Sequence, residues 1–183
     1  MKKWLFFIAI LPYVKIQEEV TKFKKYLAEN YDASHALTSP PHITLFPPFK
    51  WEAERKGDLR DLLDAFAAEE ERFTVALKDF DCFAPRVIFV DVKHNELLQR
   101  LQHLLEARLE SELDLQNDRP YEGFHPHMTI AHKDLKQHHF SDAWAEFSKR
   151  SYERSFEVED ITLLKHNGSH WEVYETFPLH VEA

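Results

Sequence analysis

Pro41-His42-Ile43-Thr44-Leu45 returns 85 residues later as Pro126-His127-Met128-Thr129-Ile130. Three of the five positions are identical, and the other two exchange one apolar residue for another. Successive side chains on a strand alternate between faces. In each copy His and Thr therefore project together, roughly 7 Å apart, while Ile43 or Met128 points the other way into a core. One such segment reads as an ordinary half-buried strand. Two read as matched strands, each offering an imidazole and a hydroxyl to the same place.

Working outward, residues 3–11 form a continuous apolar run suited to a central strand. Ile16, Val20, Phe23 and Leu27 recur at helical spacing and predict a first helix packed on a sheet. Residues 31–41 have no period and end in Thr-Ser-Pro-Pro; the prolines bias the residue before each toward extended geometry, delivering His42 into a strand. Leu59, Leu62, Leu63 and Phe66 mark a second helix. Residues 73–83 and 87–93 read as strands joined by a turn at Ala84-Pro85-Arg86. The longest helix is expected over 95–113, with Leu97, Leu98, Leu101, Leu104, Leu105 and Leu109 on one face. That stripe is core packing, too short for a sustained coiled coil. Residues 116–126 are an aperiodic loop carrying Tyr121 and Phe124. Phe140, Trp144 and Phe147 mark a short last helix, with Ser141 as its N-cap. Asn167-Gly168 signals a hairpin, and as a two-residue turn it sets Leu164 opposite Trp171. The tally is about seven strands and four helices. It predicts an α+β fold of two small antiparallel sheets with helices outside. No G-x-G-x-x-G or P-loop occurs, which removes the usual nucleotide cradles.

A chain of 183 residues is most simply one domain. A net charge of −9 argues against a protein that coats nucleic acid, yet it leaves room for one locally basic pocket. Cys82 is the only cysteine, so no intrachain disulfide or cysteine metal cage is possible; in an apolar stretch it reads as a buried inert thiol. Met1-Lys2-Lys3 before an apolar run imitates a signal peptide, but the run is short and no A-x-A-like site follows. A buried first strand and a cytoplasmic protein are expected, with no membrane contact.

The paired H-x-T motifs with apolar flanks resemble those of the two-histidine phosphoesterases, which include 2′–5′ RNA ligases and RNA 2′,3′-cyclic phosphodiesterases. Phe6-Phe7-Ile8-Ala9-Ile10-Leu11-Pro12 resembles that family's first strand, and residues 163–179 its closing hairpin. The resemblance spans the whole chain, 1–183. It implies two interwoven lobes related by a pseudo-twofold axis, with the histidines in a central cleft. It also implies catalysis by His42 and His127, with phosphate contacts from Thr44 and Thr129. No cofactor and no metal belong to the motif. The partner is an RNA terminus or a small nucleotide, met by a monomer.

Elementary chemistry agrees. Breaking a phosphodiester beside a 2′-hydroxyl needs a base on the attacking oxygen and an acid on the leaving one. Imidazole serves both, because its ordinary pKa is about 6.5. Threonine hydroxyls can donate to phosphoryl oxygens where charge builds in the transition state. A base needs an aromatic face to stack on. Phe46, on the strand face of His42 and Thr44, is one candidate; Tyr121 and Phe124 on the incoming loop are others. His125 is a candidate substrate contact and Arg86 a candidate phosphate partner. His125, His127, His132, His138 and His139 also lie close enough in sequence to suggest a metal cluster. However, no H-E-x-x-H occurs, and strand parity turns His132 away from His127. The expected reaction is metal-independent hydrolysis of a 2′,3′-cyclic phosphate, or the reverse 2′–5′ ligation. Alternatives are hydrolysis of ADP-ribose cyclic phosphate or 2′–5′ oligoadenylate, and a non-catalytic module that binds RNA ends.

Overall fold

The apolar run near the N-terminus is covered on both faces: Phe6 to Ile10 are each at most 3% exposed. It is an inner strand. The structure, a computed structural model, describes residues 1–118 and 123–183. The chain runs β1 (Lys3–Ile10), α1 (Val14–Tyr31), β2 (Ile43–Glu52), α2 (Lys56–Glu69), β3 (Phe73–Phe83), β4 (Val87–Val92), α3 (Glu96–Leu113), β5 (His127–Ala131), α4 (Gln137–Phe147), β6 (Glu153–Val158), β7 (Asp160–His166) and β8 (Trp171–Pro178). Two four-stranded sheets result, in the orders β2-β1-β7-β8 and β5-β4-β3-β6, and every pairing within them is antiparallel. One hydrophobic cluster runs through both sheets. Helix α1, which follows a strand of the first sheet, packs beside β5 of the second, and α3 packs beside β2. Each of these helices thus packs against the motif strand of the sheet opposite to the strand it follows. Among the described residues, no helix is long and apolar enough to cross a membrane.

A pseudo-twofold relates β1–α1–β2 to β4–α3–β5. Each unit is an inner strand, an 18-residue helix, a connecting segment and an edge strand that carries one motif. Both helices stop on an aspartate in the left-handed region, Asp32 at φ 56° and Asp114 at φ 54°. The next residue then donates back to a carbonyl six residues earlier, Ala33 to Leu27 at 3.3 Å and Leu115 to Leu109 at 3.1 Å. That ending satisfies carbonyls the last turn would leave orphaned.

The repeat extends to a defect in each edge strand. On β2, Thr44 pairs with Ala9 and Phe46 with Ile8, so Leu45 is an extra residue. On β5, Thr129 pairs with Phe89 and Ala131 with Ile88, leaving Ile130 extra. Both bulges fall on the fifth motif residue. A bulge reverses the facing of everything beyond it. Phe46 is therefore 1% exposed, in the core against Phe49, and does not share a face with His42 and Thr44. For the same reason His132 comes round to the face of His127 instead of away from it.

Other expectations change in detail. Strand β6 brings the number to eight; its Phe156 and Val158 are buried, but the intervening charges hide the alternation. Leu97 is 55% exposed, while Leu98, Leu101, Leu105 and Leu109 carry the stripe of α3. Helix α4 begins at Gln137, so Ser141 lies inside it; no proline or glycine in 136–141 interrupts the first turn. The last hairpin has a four-residue turn, 167–170. The Asn167 side-chain oxygen accepts from the Ser169 and His170 backbone N–H groups, both at 3.0 Å, and closes the longer loop. Trp171 consequently pairs with His166, and Leu164 with Val173.

Because Phe46 sits beyond the bulge in the core, Phe46→Ala is expected to cost about 3–5 kcal/mol in urea unfolding. Turnover per folded molecule should stay close to wild type.

Candidate active site

The two motif strands face one another across a cleft of about 1070 Å³, and His42, Thr44, His127 and Thr129 all line it. Ile43 and Met128 are 0% exposed behind it, as strand alternation requires. Each imidazole is held by the main chain two residues upstream. His42 Nδ1 lies 2.7 Å from the Pro40 carbonyl, and His127 Nδ1 lies 2.7 Å from the His125 carbonyl. A carbonyl can only accept, so Nδ1–H donates in both, leaving the lone pair on Nε2. Pro41 and Pro126 hold the residue before each of them extended, and the two sites have the same local build.

The walls around each ring are aromatic. Phe7 stands 4.7 Å from the His42 ring, and its other side meets Trp171 at 4.6 Å. Phe83 and Phe89 each lie 5.0 Å from His127. This shielding sets the protonation. Burial pushes His42 down to about 4, helped by the positive charges of Lys24, His127 and His132 and opposed by the Pro40 carbonyl. Burial also lowers His127, but the His125 carbonyl and Asp91 pull the other way. His42 is therefore the more firmly neutral of the two.

The weaker candidates separate. Phe124 and His125 line the cleft, with Phe124 fixed through its carbonyl by Gln99 Nε2 at 3.2 Å. The His125 ring packs on Phe83 at 5.1 Å, with Nε2 3.9 Å from Asp91. Phe46 is in the core. Arg86 is exposed in the β3–β4 turn, where Phe83 and Val87 are the described residues that reach the cleft. Tyr121 lies outside the described residues. Cys82 is half-buried, and burial together with Asp81 holds its thiol above the usual range, which suits an inert side chain. His139 is tied to the Tyr31 carbonyl at 3.0 Å. Among the described residues, no three His, Cys, Asp or Glu side chains converge in a metal-holding arrangement.

Several residues reach the cleft without a sequence signal that places them there. His35, His103 and His166 join His42, His125, His127 and His132, so seven of the twelve histidines line the cleft. Trp171 and Phe7 line it too. Lys24, on the inner side of α1, is 2% exposed, and its ammonium donates to the carbonyls of Ala36 and Ser39, both at 2.8 Å. It thereby pins the turn of residues 35–38, which leads into the first motif. Among the described residues no carboxylate pairs with it, and burial drives its pKa down to about 7. A lysine at helical spacing from Val20 and Leu27 was the available signal.

Known proteins share this architecture. The model of the 2′-5′ RNA ligase superfamily matches residues 12–170. The chain belongs to that superfamily. A Bacillus pumilus (strain SAFR-032) protein whose name proposes a phosphoesterase is 32% identical over 180 residues, covering 96% of this chain and 98% of the relative. A similarly named protein of Geobacillus kaustophilus (strain HTA426) is 32% identical over 174 residues, covering 93% of each. Among solved structures, E. coli LigT complexed with 3′-AMP superposes with a TM-score of 0.70 at 19% identity, covering 98% of this chain and 100% of LigT. The Thermus thermophilus protein TT0787 gives 0.69 at 20% identity, with the same coverage. The α+β architecture of two antiparallel sheets is thus that of the superfamily, and the general activity is that of a phosphoesterase.

The buried lysine makes a stability test. Between pH about 7 and its ordinary value of 10.5, Lys24 is protonated in the unfolded chain and neutral in the folded one. Stability should therefore rise with pH across that window, by up to about 1.4 kcal/mol per unit, and be lost as pH falls toward 7. Urea titrations from pH 7 to 9 should show a slope in wild type that is flatter in Lys24→Met. An equal slope in the two proteins would contradict the burial of an unpaired ammonium.

Proposed function

We propose that this phosphoesterase opens 2′,3′-cyclic phosphates on RNA termini or nucleotides. His42 and His127 act as the acid/base pair, and Thr44 and Thr129 as donors to the phosphoryl oxygens. The observation that carries the reading is the duplicated pin. Each imidazole gives Nδ1–H to the carbonyl two residues upstream at 2.7 Å, and both rings line one cleft with the threonines. A pair held in matched tautomers can exchange roles over a cycle, as a two-step proton transfer demands. That E. coli LigT, of the same fold, has been solved with 3′-AMP and with ATP supports a nucleotide-sized ligand here.

In the hydrolysis, a water gives its proton to Nε2 of a neutral imidazole while its oxygen attacks phosphorus. The bond from phosphorus to one ribose oxygen breaks, and that oxygen takes a proton from Nε2–H of the other, protonated imidazole. The threonine hydroxyls stabilise the non-bridging oxygens as charge builds. His42, held neutral down to about 4, takes the base role, and His127, assisted by Asp91, the acid role. With a 5′-hydroxyl in place of water as the nucleophile, the same groups perform 2′–5′ ligation. No step calls for a metal.

His42→Ala and His127→Ala should each lower kcat/KM for a 2′,3′-cyclic nucleotide by roughly two to four decades. Thr129→Val should cost up to about 10³. A 4-nitrophenyl phosphodiester, whose leaving group needs no proton, should restore much of the rate of His127→Ala and little of that of His42→Ala. Equal rescue of both would undo the assignment of roles. Activity should fall on the alkaline side as His127 loses its proton, and on the acid side as His42 gains one near pH 4. It should survive EDTA.

A further inference from the structure

The duplication that builds the cleft is broken in its polar and charged groups; burial holds His132 neutral down to about pH 4, so it enters as an N–H donor. The bulged motif strands place His132 and Pro47 at equivalent positions, five residues after each motif histidine, and both line the cleft. The equivalent helices differ in the same way. Lys24 and Glu106 each occupy the eleventh position of an 18-residue helix, α1 and α3. At the end of the cleft next to α1, the His35 and His132 rings meet at 4.8 Å and 88°, with Lys133 beside them and the ammonium of Lys24 beneath the turn. Asp134, the neighbouring acid, is engaged by the backbone N–H groups of Ser34 and His35, both at 2.8 Å, and does not line the cleft. At the α3 end, Glu106 lines the cleft and accepts from Gln102 Nε2 at 2.7 Å. In a chain of net charge −9, one end of one cleft gathers two imidazoles and lysine ammonium groups, and the other end, where His103 also lines it, presents a carboxylate.

We infer that the His35, His132 and Lys133 end of the cleft is a second anion site, which takes a phosphate of the substrate other than the one being opened. The inference rests on the phosphoesterase reading and narrows its substrate class to a nucleotide or oligonucleotide that carries a second phosphate. The chemistry is direct. Two imidazole N–H groups and an ammonium are donors that a phosphate can use together. Among the described residues the buried Lys24 has carbonyls but no carboxylate for company, so an anion nearby supplies the charge it lacks, at the low dielectric of a buried site. Glu106 repels a second phosphate from the opposite end. A pair of interchangeable motifs would let a substrate bind in two orientations; this charge difference permits one.

The test uses three substrates: adenosine 2′,3′-cyclic phosphate, its 5′-monophosphorylated form, and the dinucleotide ApA ending in a 2′,3′-cyclic phosphate. In wild type a second phosphate is expected to raise kcat/KM about tenfold or more, mostly through KM. In His35→Gln/Lys133→Gln the ratio between phosphorylated and unphosphorylated substrates should fall to about one. Preference for the monoester alone assigns the site to a 5′-phosphate; preference for the dinucleotide alone assigns it to an RNA linkage. Calorimetry with adenosine 3′-phosphate and adenosine 3′,5′-bisphosphate gives a readout independent of turnover. Tighter binding of the bisphosphate, lost in the double variant with its melting temperature retained, supports the site even if none of the three substrates is hydrolysed; in that outcome it is the proposed reaction that fails. Equal affinities in wild type, or a preference that survives in the double variant, overturns the second anion site.

Discussion

Each motif strand must show one face to a cleft and the other to a shared core, and a single inserted residue after each threonine decides where that arrangement ends. Leu45 and Ile130 are those residues. Up to the threonine, alternation sends His and Thr to the cleft and Ile43 or Met128 to the interior. Past the bulge, Phe46 and Ala131 turn inward, and Pro47 and His132 turn out. The extent of the cleft, the composition of its rim and the closure of the core behind it all follow from two local defects in register. Bulges on edge strands also blunt the open hydrogen-bonding rows that such strands present.

The histidines gain their properties from position more than from identity. A carbonyl two residues upstream orients each ring, while burial against Phe7 on one side and against Phe83 and Phe89 on the other removes water. Burial depresses both pKa values, and the neighbours then separate them: Lys24 and His132 push His42 further down, whereas Asp91 holds His127 up. Two copies of one motif thereby become chemically inequivalent. The duplication supplies two identically oriented imidazoles, and the charges that surround them make their protonation differ.

Much of this is legible in the chain because it depends on short-range periodicity. The inner strand, the four helices and the two His-Thr faces can be read from alternation and from 3.6-residue spacing, since burial of one face leaves a pattern in the chain itself. Expectation and structure part where a local rule meets a competing one. Parity continued through a bulge puts Phe46 in the cleft, and the bulge puts it in the core. Leu97 fits a leucine stripe that the helix rotates into solvent. The Asn167-Gly168 signal is correct as a hairpin, yet the Asn167 side chain closes a longer turn and shifts Trp171 to a place opposite His166.

By itself, the sequence determined the superfamily, the class of fold and the shared facing of His42, Thr44, His127 and Thr129, because a repeated motif on alternating strands leaves little freedom in where those groups point. Tertiary structure alone decided which distant residues share the cleft with them or pin its rim. Lys24, His35, His132, Phe7 and Trp171 come from a helix, a short turn, the residue just past β5, an inner strand and a hairpin, and α1 reaches across to β5 of the opposite sheet. Such meetings depend on register and on the packing of elements from different lobes. Periodicity measures only the face a residue shares with its own neighbours, so it has no access to the charge asymmetry those meetings create.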